Sequence, residues 1–153
     1  MAGRSQFDAA DGGNPMEVRS VTPQDGLVFT MVLVSAVDRD MSDAQLDRLR
    51  GLVERLPVFR HYGEAKLADT SASCAKMLAG KNGLDRTLAA IGAAVPKRLA
   101  ATAYALACDI AAAEGKVKIE EMQVLDLLAD TLGVSRLEQE AIHFAAAARY
   151  RKA

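Results

Sequence analysis

Ser35-Ala36-Val37-Asp38-Arg39-Asp40-Met41-Ser42-Asp43-Ala44-Gln45-Leu46 is the stretch that decides the fold. Its chemical pattern returns, at one fixed offset, in Ala111-Ala112-Ala113-Glu114-Gly115-Lys116-Val117-Lys118-Ile119-Glu120-Glu121-Met122. Each copy closes an apolar helix, opens a short turn on an acid and sets one apolar plug, Met41 or Val117. Each then starts a helix with a leucine stripe: Leu46, Leu49, Leu52 and Leu56 in the first, Leu125, Leu128 and Leu132 in the second. Leucines three or four residues apart share one face of an α-helix. A helix-turn-helix met twice in this way predicts one supersecondary unit used twice, with Met41 and Val117 both buried.

Outward from these units the chain reads as helix throughout. Thr22-Pro23 supplies an N-cap and a first-turn proline for the helix over Leu27 to Val37,. That run is rich in β-branched residues but is long for a strand and has no internal turn residue. Ser42 with Gln45, and Ser135 with Glu138, have capping-box spacing,. Pro57 ends the second helix, and Val58 to Gly63 connect it to the third,. Gly80-Lys81-Asn82-Gly83 breaks the third from the fourth, Pro96 opens the alanine-rich fifth, and Gly133 suits a left-handed C-cap,. The class is all-α: an antiparallel bundle of about seven helices with two pseudo-repeated helix-turn-helix units. Residues 1–21, with Gly12, Gly13, Asn14 and Pro15 and no apolar period, read as a flexible tail,. Residues 22–153 form the single domain that 153 residues suggest,.

Composition excludes several functions. The net charge is −1 with no basic stripe, which argues against nucleic acid,. Tryptophan is absent and aromatics are few, so there is little for bases or sugars to stack on. No signal peptide is expected, and the run Leu27 to Val37 is too short to be a transmembrane segment,. Cys74 and Cys108 form no CxxC and lie among apolar residues, reading as reduced, buried core thiols of a cytoplasmic protein,. A thiol-based detoxifying enzyme using either would need an exposed, electropositive setting, which their neighbours do not offer.

The turns are the candidate site. Asp38-x-Asp40-x-Ser42 opens like a calcium loop, but Asp43 stands where that loop needs glycine and Leu49 where it needs glutamate,. A looser divalent-metal site could draw on Asp38, Asp40, Glu114 and Glu121 if the turns share a rim,. The preferred reading of these acids is that they cap free amides and offset helix dipoles. Lys116 and Lys118 beside the second set predict weak or absent binding of calcium and magnesium. Asp109 in the fifth helix either faces inward, paired with Arg98 or Arg86, or sits partly exposed on the outer side, which is slightly preferred,. His61 and His143 lack partners at zinc-ligand spacing,. No nucleophile elbow, P-loop or dinucleotide fingerprint occurs, so no cofactor is expected.

The paired turns, with Leu56-Pro57-Val58-Phe59 and Thr102-Ala103-Tyr104-Ala105-Leu106-Ala107, resemble the TerB-like tellurite-resistance family over about residues 22 to 150. The family's turn pattern falls on Asp38, Met41, Ser42 and Gln45, and on Glu114, Gly115, Val117, Lys118 and Glu121. The chain departs from it at Arg39, Gln45, Glu114 and Lys118. The resemblance implies a cytoplasmic helical protein of tellurite resistance and stress response. It implies a non-enzymatic interaction or sensing module beside a membrane-protein or stress-complex partner. The alternative it implies is divalent-metal binding through the acidic turns. The oligomeric state is left open.

Overall fold

A computed structural model describes residues 21–37 and 41–153. Among these there are seven α-helices and no strand: α1 (Pro23–Ala36), α2 (Asp43–Arg55), α3 (Glu64–Ala79), α4 (Gly83–Ala94), α5 (Ala100–Ala111), α6 (Ile119–Leu132) and α7 (Arg136–Arg149). The β-branched run of α1 is therefore helix. It is buried on every side from Asp25 to Ser35 and packs against α3, α4, α5 and α6. A helix apolar all round belongs inside, where packing outweighs its weak intrinsic propensity. Gly26 lets α1 approach the end of α4, because a Cβ there would stand 2.9 Å from Val95 Cγ2.

Local signals set the helix ends. Thr22 and Asp25 form a reciprocal capping box, each backbone N–H donating to the other's side chain at 3.1 Å,. Ser42–Gln45 and Ser135–Glu138 do the same for α2 and α7. Gly133 closes α6 at φ +71°, and the Val134 amide reaches back to the Ala129 carbonyl at 3.0 Å,. The alanine-rich helix starts later than Pro96 suggests, because a 3-10 turn at Lys97–Leu99 precedes α5.

A buried polar cluster fastens the connection after α2 to the start of α1. The Tyr62 hydroxyl donates to Asp25 Oδ1 at 2.7 Å and lies 2.6 Å from Thr70 Oγ1. Gln24 Nε2 donates to the carbonyls of Val58 and Arg60. Burial pushes the Asp25 carboxyl up, but hydrogen bonds from Tyr62 and Thr22, with Lys66 nearby, outweigh it and hold the group below its ordinary value,.

The helix bounds of two segments run alike: α1 and α2 in the first, α5 and α6 in the second. Gln45 and Glu121 are the third residues of α2 and α6, and they touch across 76 positions. The plugs differ from expectation. Met41 and Val117 are half-buried rather than buried. Met41 lines the rim of a hollow that it shares with Val32, Leu46 and Leu67.

Candidate functional site

The second turn winds through a 3-10 segment, Ala112–Glu114, that packs on α2, and turns at Gly115 with φ +88°. It ends where the Lys118 amide donates to Glu121 Oε1 at 3.0 Å. The other oxygen, Oε2, accepts from Gln45 Nε2 at 3.0 Å. Glu121 and Gln45 are both buried, so each carboxylate oxygen has a protein donor and the two turns are tied at their roots. Glu114 is exposed. Asp38 and Asp40 lie outside the described residues. Among the described residues no group of three or more His, Cys, Asp or Glu is arranged to hold a metal ion.

Asp109 corrects the expectation of an outer, partly exposed acid. It is buried, and its partner is Arg149 from the end of α7, at 2.7 Å, rather than Arg98 or Arg86. The Asp109 backbone carbonyl accepts from Arg48 Nη1 at 3.2 Å, and the Arg48 guanidinium lies 4.1 Å from the Tyr150 ring centre,. Three elements distant in sequence, α2, α5 and the end of α7, are thus fastened at one point.

Beside this lock, α5 forms the floor of a groove whose walls are α6 and α7. Both walls pack on α5 yet scarcely touch one another. The groove measures about 510 Å³. Its lining is largely apolar, with Cys108, Val117, Met122, Leu125, Ala147 and Tyr150 prominent. At one end the Tyr104 hydroxyl and His143 Nε2 are hydrogen-bonded at 2.6 Å. Burial pushes the Cys108 and Cys74 thiols up to about 12, so neither is thiolate near neutrality,. Both cysteines are buried and unpaired, as their apolar settings predict.

The structure also sets large apolar side chains in solvent on the last two helices. Ile119 is 70% exposed, Met122 54%, Leu137 80% and Phe144 78%. Sequence reasoning did not single out these residues or the groove. The available signal was Leu137 and Phe144 falling off the stripe of Ile142 and Ala146, which faces the core. Among the described residues no helix is long and apolar enough to cross a membrane.

The model of the family described as Tellurite resistance protein TerB matches residues 24–143, the span from α1 into α7. No curated protein and no solved structure matches the chain.

Proposed function

The chain belongs to the TerB tellurite-resistance family, and from that premise we propose that it serves resistance as a non-enzymatic interaction or sensing module. One observation carries this reading: Ile119, Met122, Leu137 and Phe144 stand exposed on α6 and α7. Leu137 and Phe144 lie two helical turns apart on one face of α7, and exposed large apolar side chains that share a face mark a contact surface,. The depressed reactivity of both buried thiols argues in the same direction, against a detoxifying enzyme. Their unpaired state suits a reducing compartment, the cytoplasm,. The partner we favour is a membrane protein or a stress-response complex.

Complementation of a tellurite-sensitive deletion strain tests the proposal. Phe144→Asp and Leu137→Asp alter exposed positions and should leave folding within about 0.5 kcal/mol of the parent. Both should nonetheless fail to restore tellurite tolerance. Full tolerance with both variants would sink the contact reading.

A second reading, a divalent-cation site drawn from Asp38, Asp40, Glu114 and Glu121, is favoured by the meeting of the two turn roots at Gln45 and Glu121. Against it stands the commitment of both Glu121 oxygens to protein donors. Isothermal titration of metal-stripped protein decides between them. Saturable micromolar calcium or magnesium binding, abolished by Asp38→Ala or Glu121→Ala, would promote the cation site.

A further inference from the structure

The α5–α6–α7 groove has a polarity along its length. Tyr104, Cys108 and Ala112 descend α5, and the contacts Tyr104–His143 and Asp109–Arg149 show α7 running alongside in the same direction. At the Tyr104 end stands Asp126 on the α6 wall. At the other end, Gly115, Val117 and Tyr150 frame Arg151, with exposed Lys116 between the first two. Arg151 has no ion-pair partner among the described residues. The middle is apolar, with the small side chains Cys108 and Ala111 on its floor and Ala146 on the α7 wall.

We propose that this groove binds a free medium-chain fatty acid, with its carboxylate at Arg151 and its chain lying along α5 toward Tyr104. The inference rests on the reading of the chain as a binding module and names a ligand for it. Three features select this chemistry. The volume of about 510 Å³ lies within the range of about 300–1,000 Å³ usual for small-molecule sites,. The apolar middle rewards an acyl chain and offers few partners to a polar ligand. The charges fix orientation, because Asp126 repels an anionic head at one end and Arg151 with Lys116 attracts it at the other,. The Tyr104 hydroxyl at the far end is already engaged by His143 Nε2 and is not a free partner for a carboxylate.

Isothermal titration of the full chain with decanoate, dodecanoate and tetradecanoate, each below its micelle concentration, tests the proposal. Saturable one-to-one binding is expected, tightening about fourfold per buried methylene until the groove is full. Dodecanol, which lacks the carboxylate, should bind at least tenfold more weakly, as should dodecanoate to Arg151→Glu. Ala147→Trp places an indole in the groove from an exposed helix position and should abolish binding. If circular dichroism shows that variant misfolded, Met122→Trp blocks from the opposite wall. Absence of saturable binding to the parent protein overturns the proposal. So does binding indifferent to both Arg151→Glu and the tryptophan block. A concentration-dependent dimer, dissolved by the block in a protein that ignores dodecanoate, would make a second copy the occupant and equally overturn it. Failure here leaves the contact reading standing, because Leu137 and Phe144 do not line the groove.

Discussion

Replacing Glu121 by alanine removes two hydrogen bonds and strands one of their donors in the interior. Glu121 is 2% exposed. Its Oε1 caps α6 through the Lys118 amide, an interaction worth about 1 kcal/mol,. Its Oε2 accepts from the Gln45 amide, which is itself 3% exposed and would be left as a buried donor, costing about 1–3 kcal/mol,. The single variant should therefore lose about 2–4 kcal/mol. Gln45→Ala leaves the Oε2 lone pairs buried without a donor and should cost about 1.5–3 kcal/mol. The double variant should lose less than the sum, because each single change already breaks the shared bond. A coupling energy of about 1.5–3 kcal/mol is expected for a hydrogen bond to a charged acceptor. Guanidinium unfolding followed by far-ultraviolet circular dichroism measures all four corners of the cycle. Additivity to within about 0.5 kcal/mol would refute the reasoning, since non-contacting residues add to that precision. The two turn roots would then not be tied in solution.

Three other outcomes follow from the same packing. Arg149→Ala should cost about 1–2 kcal/mol in a thermal melt; it strips buried Asp109 of its partner, while the half-exposed arginine limits the loss,. No change would mean that the α7 end is not locked. The Asp25 carboxyl is held below its ordinary value of 3.8 in the folded chain, so the stability it supplies is present above that value and is lost as pH falls through the lower native one,. Urea midpoints should drop below about pH 4, and Asp25→Asn, weaker at neutral pH, should flatten that slope. Both thiols are raised to about 12, so the unfolded chain releases their protons first and stability should fall as pH rises beyond about 8.5,. Denaturation midpoints at increasing pH test this, and Cys74→Ala should reduce the slope; rapid labelling of the native thiols near neutrality would contradict the burial on which it rests.

Local chemistry made much of the fold legible. Thr22, Ser42 and Ser135 each cap their own helix within three residues, and Gly133 ends α6 through its own φ, so these boundaries need no partner from elsewhere. The leucine stripes of α2 and α6 announce which face goes inward before any neighbour is known, and Leu49 and Leu128 are indeed buried. The candidate site was less legible. Glu121 stood out as an acid beside a turn, but a sequence does not show that Gln45 consumes one of its oxygens. Asp109 could not reveal its partner either, because Arg149 lies far along the chain and reaches it only after α7 has packed on α5.

The sequence by itself determined the helical class, most of the helix ends, the family and the apolar setting of the thiols. Each of these is written in contacts between near neighbours or in a periodicity that one helix carries alone. Tertiary structure decided which side chains meet and which faces are left uncovered. The half-burial of Met41 and Val117 depends on which neighbours pack over them, not on what surrounds them in the chain. The groove exists because α6 and α7 both pack on α5 and hardly on each other. Phe144 is exposed because, among the described residues, no helix covers its side of α7. Helix packing selects one among several arrangements that the same amphipathic stripes allow, and that selection depends on all the helices together.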